Sequence, residues 1–192
     1  MNTKLVVGGV CGLAWATGLR GLMAEVAGDE SSVSWFTFGF ILLPAVVVGV
    51  LLGWAEHLRT TGGRRGWRWL ALSPLALAVS AGALGVSLIG MAGGYALSRR
   101  GPVWARMACG LFAGAMIPVW ALIATTVGGP RLALDSPRGL WVALYFYSFL
   151  AVLALAAAIP HRAIVAAARP SNAPMPGAGD QLARQRAEHP IP

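Results

Sequence analysis

The sequence predicts an all-α integral membrane protein, a bundle of about five transmembrane helices with a disordered C-terminal tail. Three observations lead there. Of 192 residues, 57% are hydrophobic and only 11% are charged, against roughly 25% charged in soluble domains. The apolar residues gather in runs of about twenty, the length that crosses ~30 Å of hydrocarbon as a helix. Tryptophans stand at the ends of several runs, as amphipathic rings do at membrane–water boundaries. A soluble enzyme and a disordered chain are excluded on composition alone.

Five spans follow in order. The first covers 5–23 and is interrupted only by Arg20. The second, 35–55, is uncharged to Ala55 and bracketed by Trp35 and Trp54. Nineteen steps at about 1.5 Å give roughly 28 Å, close to the hydrocarbon thickness. The third, 73–97, follows Trp67 and Trp69 and opens on Ser73-Pro74, an N-cap followed by proline at the first helical position. The fourth, 103–127, and the fifth, 140–159, begin near Trp104 and Trp141. Pro44 and Pro118 lie inside the second and fourth spans, where a missing N–H and a ring clash should kink a helix. The transmembrane domain is thus 1–168. Residues 169–192 are rich in Pro and Gly, lack an apolar face and read as a disordered tail. A rival reading of the first span is a signal peptide, with Ala14-Trp15-Ala16 imitating its cleavage site.

The net charge is +8, from 15 basic and 7 acidic residues. Without a soluble basic module, this points to anionic lipid headgroups rather than nucleic acid. Arg59, Arg64, Arg65 and Arg68 lie in or beside the connection after the second span and form its headgroup-contact surface. Basic connections stay cytoplasmic, which places the N-terminus in the cytoplasm and the protein in the cell membrane. Arginine supplies 14 of the 15 basic residues, with much Ala, Gly and Val, a composition suggesting a GC-rich bacterial genome.

Five full spans create a conflict. Leaving Arg20 aside, seven basic residues fall inside (Lys4, Arg59, Arg64, Arg65, Arg68, Arg131, Arg138) and seven outside (Arg99, Arg100, Arg106, Arg162, Arg169, Arg184, Arg186). If 69–97 instead dips in and returns, twelve fall inside and two outside. Re-entrant backbone must be surrounded by protein or water, and 29 residues give two arms too short to span. Five spans therefore stand as the leading arrangement, with the side of the C-terminus deciding.

Polar chemistry is sparse. Arg20, Glu25, Asp29 and Glu30 form a candidate outer-face site, since a charge within a span usually has a task. Glu56 and His57 form a candidate inner-edge pair, with Arg59 or Arg64 the expected neutraliser of Glu56. Ser73, Ala76, Ser80, Ala83, Ser87, Gly90 and Gly94 repeat at heptad spacing as a small-residue seam for helix packing. Within the apolar spans, GxxxG pairs occur at 8/12, 49/53, 90/94 and 110/114. Cys11 and Cys109 are isolated thiols, and no catalytic, metal-binding or cofactor motif stands out. The expected function is that of a small multi-pass membrane protein. It would be a structural, assembly or regulatory subunit, as a homo-oligomer or with a membrane-protein partner. The alternative is a small-solute transporter or channel-like protein; an enzyme is not expected.

Overall fold

The structure is a computed structural model that describes residues 2–28, 32–62, 65–78 and 81–164. Asp29, Glu30, Arg64, Ser80 and the tail at 169–192 lie outside the described residues. Among the described residues, all regular structure is helical. Helix α1 is Thr3–Ala27, α2 is Trp35–Thr60, α3 is Ala81–Leu97, α4 is Val103–Gly128 and α5 is Pro137–His161. A 3-10 segment, Arg65–Leu77, stands between α2 and α3. Helices α1, α2, α4 and α5 are long and apolar enough to cross a membrane; α3, at 17 residues, is not. The chain is a multi-pass membrane protein with four candidate spans among its described residues.

Local chemistry sets several boundaries. Asn2 caps α1. Gly28 ends it at φ +67°, with the Arg131 guanidinium where a side chain would stand. Ser136 caps α5: its hydroxyl accepts from the Gly139 N–H at 2.9 Å, and Pro137 follows at the first helical position. That cap moves the start of the helix three residues ahead of the expected 140. Both mid-span prolines coincide with irregularity. A wide π turn at Phe38–Leu42 precedes Pro44. In α4 the regular pattern breaks at Ala115, next to Gly114, whose carbonyl has no N–H to meet at Pro118.

The third span departs most from expectation. Ser73-Pro74 does not start an α-helix; it lies within the 3-10 segment, and the α-helix begins at Ala81. The two arms point back to one end of the bundle. Arg68, near the start of the first arm, and Tyr95, near the end of the second, line the same cavity beside Pro160 and His161. Leu77, at the far end of the first arm, belongs instead to the interior cluster with Ala16, Ala45, Val48, Leu52 and Leu153. Helix α3 runs parallel to α5, with Gly90 against Leu153, Gly93 against Ala154 and Gly94 against Ala157. Residues 65–77 and 81–97 therefore lie as two antiparallel helical arms, a hairpin, and the expected span at 73–97 falls partly on each of them. The arms match in length because 3-10 geometry rises faster. Thirteen residues at about 2.0 Å and seventeen at about 1.5 Å both give roughly 25 Å.

The remaining helices are ordered by pairs of contacts. Helices α1 and α2 are antiparallel, with Lys4 donating to the Thr60 hydroxyl and Gly12 on the Ala45 carbonyl. Helices α1 and α5 are also antiparallel: Trp15 Nε1 donates to the Phe149 carbonyl at 3.2 Å, and Glu25 meets Arg138 at 2.8 Å. Lys4, Arg59, Arg68, Arg100 and Arg162 thus gather at one end, the basic end. Glu25, Arg131, Asp135 and Arg138 gather at the other. Both ends of the described chain, residues 2 and 164, lie at the basic end. A second interior cluster of Leu22, Trp120, Ala124, Leu132, Val142 and Ala143 packs toward the opposite end.

Candidate functional site

Glycine determines how closely the helices approach. A side chain on Gly8 would run into the Gly49 carbonyl oxygen, and one on Gly49 into the Gly8 carbonyl oxygen. Gly12 faces the Ala45 carbonyl and Gly53 the Lys4 carbonyl in the same way. The two GxxxG pairs of α1 and α2 are therefore one backbone-to-backbone crossing, close enough for Cα–H···O contacts. On the hairpin, a side chain at Gly94 would stand 2.7 Å from the Ala157 backbone. A side chain at Gly114 on α4 would meet nothing within 4 Å.

The expected seam divides. Ala83, Ser87, Gly90 and Gly94 lie on α3, and Gly90 and Gly94 of these pack on α5. Ser87 is fully buried and its hydroxyl donates to the Ala83 carbonyl at 2.8 Å. Ser73 and Ala76 lie on the other arm, so the heptad repeat is not one continuous helix face. The Ser73 hydroxyl is buried without a hydrogen-bond partner among the described residues.

Of the outer-face residues, Arg20 and Glu25 are among those described. Glu25 pairs with Arg138 from α5. The Arg20 guanidinium reaches the Ser32 carbonyl in the connection to α2. Arg131 donates to the Val26 carbonyl at 2.8 Å and the Gly128 carbonyl at 3.0 Å, tying the end of α1 to that of α4. Arg131 and Arg138 escaped the sequence reading because their partners lie more than a hundred residues away. A cap-plus-proline signal at Ser136-Pro137 marked the place where Arg138 enters.

At the basic end, Arg59 grips Glu56 with two hydrogen bonds of 2.7 Å. This is the neutralising pair expected from i,i+3 spacing on a helix. Arg59 also donates to the Ala163 carbonyl at 3.3 Å, tying α2 to the end of α5. No hydrogen bond joins His57 to Glu56 among the described residues, so the expected pair resolves into an Arg59–Glu56 clamp.

Two cavities of about 420 Å³ each open near this end. The first is an apolar cleft between α1, α2 and α5, lined by Val7, Cys11, Trp15, Leu52, Leu77 and Ile159 among others. Val7 and Cys11 are exposed on its α1 wall, and Lys4 and Glu56 line its polar edge. The second is lined by Arg68, Tyr95, Arg100, Gly101, Pro160 and His161. Its rim depends on an unusual loop. Arg99 has φ 55° and Gly101 φ 83°. The Tyr95 hydroxyl occupies the place of a Gly101 side chain. Tyr95 also meets His161 edge-to-face at 5.5 Å. No family model, curated protein or solved structure matches this chain.

Proposed function

We propose that this multi-pass membrane protein is a structural, assembly or regulatory subunit that acts through helix packing. The observation carrying the reading is the unequal use of its glycine faces. Those of α1 and α2 are closed on each other, whereas Gly114 on α4 is open, with Leu111 and Pro118 exposed beside it. A small-residue face in lipid admits a second helix at close range. The occupant is a transmembrane helix of another membrane protein or of a second copy. The test is mild-detergent extraction of the full chain, with cross-linking before solubilisation. A stable partner should be recovered and lost in Gly114→Leu. Recovery only as a monomer, with no cross-linked species, refutes the reading.

The proposed orientation places the basic end in the cytoplasm. With a re-entrant hairpin, the sequence assigns twelve basic residues to that side and two to the other, the asymmetry that governs insertion. Reporters fused at both chain ends should give cytoplasmic signals; an external C-terminal signal refutes this arrangement.

A second reading, a small-solute transporter or channel-like protein, is favoured by the hairpin itself. Non-helical backbone at membrane depth belongs where protein or water surrounds it, and interrupted helices line many solute sites. The buried Ser73 hydroxyl lies on the first arm. Reaction of Ser73→Cys with a membrane-impermeant thiol reagent supports a water path; protection from both sides removes it.

A further inference from the structure

We propose that the cavity between the two roots of the hairpin and the end of α5 is a binding site for a phosphate group. Arg68 enters from the 3-10 arm, Arg100 from the loop after α3, and His161 from the last turn of α5. Three segments far apart in sequence thus bring two permanent cations and an imidazole to one concavity. Tyr95 adds a hydroxyl. Among the described residues, neither the Arg68 nor the Arg100 guanidinium has an ion pair or a hydrogen-bond acceptor in the protein. By contrast, Arg59, Arg131 and Arg138 are all engaged with carboxylates or carbonyls. Two unengaged guanidinium forks offer planar, bidentate donor sets, the geometry that matches phosphate oxygens.

The volume of about 420 Å³ falls within the range of small-ligand cavities, about 300–1,000 Å³. The rim holds its shape through the Ser98–Gly101 turn. The Ser98 hydroxyl donates to the Tyr95 carbonyl at 2.6 Å and accepts from the Arg100 N–H at 3.3 Å. Arg100 is therefore carried on a braced turn rather than a loose connection. Trp69, beside Arg68, is exposed, as expected of a ring at headgroup level. The ligand chemistry is a phosphate monoester or diester. It can come from a phospholipid headgroup or from free phosphate in the aqueous phase, and the site needs no helix-packing partner.

The experiment titrates the full chain in neutral detergent with short-chain phosphatidic acid and, separately, with inorganic phosphate, by calorimetry. Saturable binding of either probe is expected. Arg68→Gln and Arg100→Gln should each weaken it by about tenfold or more, as expected for lost hydrogen bonds between charged groups. Arg68→Lys with Arg100→Lys should retain more affinity than the glutamine variants, because charge remains where the fork is lost. Binding of phosphatidic acid that millimolar phosphate does not displace identifies the headgroup as the source; equal binding of both identifies free phosphate. Absence of binding to both probes overturns the proposal. So does binding unchanged in the glutamine variants, or an equal loss in Arg138→Ala at the opposite end.

Discussion

The α1–α2 pair and helix α4 carry the same sequence motif and put it to opposite use. On α1 and α2, Gly8, Gly12, Gly49 and Gly53 interlock until each backbone touches a carbonyl of the other helix. On α4, a side chain at Gly110 would stand 3.7 Å from the Ala96 methyl, an ordinary contact, and one at Gly114 would meet nothing within 4 Å. A GxxxG pair therefore permits close approach without causing it. What closes the first pair is reciprocity: two glycine faces meet in antiparallel register, and Lys4 and Thr60 join the ends. The hairpin lies between these extremes, with Gly90 and Gly94 set against side chain and backbone of α5.

The largest effect is expected from Gly49→Val. Its side chain meets the Gly8 carbonyl, which belongs to a helix backbone and has little freedom to yield. Overpacking of this kind should cost about 3 kcal/mol or more, seen as a large fall in the unfolding midpoint in detergent. An unchanged midpoint would show that the crossing is not tightly closed. Gly94→Val is next, because its neighbour is the Ala157 backbone; about 1–3 kcal/mol is expected. Undocking should also make a cysteine placed at Leu77 newly reactive. Gly90→Ala should cost less, since it meets the flexible Leu153 side chain. Smallest is Gly114→Ala. With open space around it and a better helix former in place, it should be neutral or gain up to about 1 kcal/mol. A marked loss there would show that α4 is packed against something this chain alone does not supply.

Much of the fold was legible in particular residues. The four long helices coincide with apolar runs, and Pro44 and Pro118 marked real irregularities. Of the two neutralisers expected for Glu56, Arg59 is the one the described residues show in place; Arg64 lies outside them. For the third segment hydropathy and charge give opposite answers. Its apolar length argued for a span, while Arg99, Arg100 and Arg162 argued for a return to the side of Arg68. In the structure Arg68 and Arg100 line one cavity. Neither arm is long enough to span, yet the two match in length, because the first starts at Arg65 rather than Trp69 and is wound as a 3-10 helix with a longer rise. Within the candidate outer-face site, Glu25 meets Arg138, which only the antiparallel packing of α1 on α5 brings near; Asp29 and Glu30 lie outside the described residues. Arg100 and His161 were not candidates at all, since nothing local ties either to Arg68.

By itself the sequence determined that the chain lives in a membrane, where its long helices fall and which connections are basic. These depend on one-dimensional quantities: run length, side-chain polarity and the placement of charge. Only the tertiary structure decided which glycine faces close, that the 3-10 segment and α3 lie antiparallel, and which arginines meet at the basic end. The reason is physical. Lipid tails and helix faces are equally apolar, so hydropathy cannot distinguish a helix that faces lipid from one that faces protein. That choice rests on shape and backbone proximity, which exist only once the helices are placed side by side.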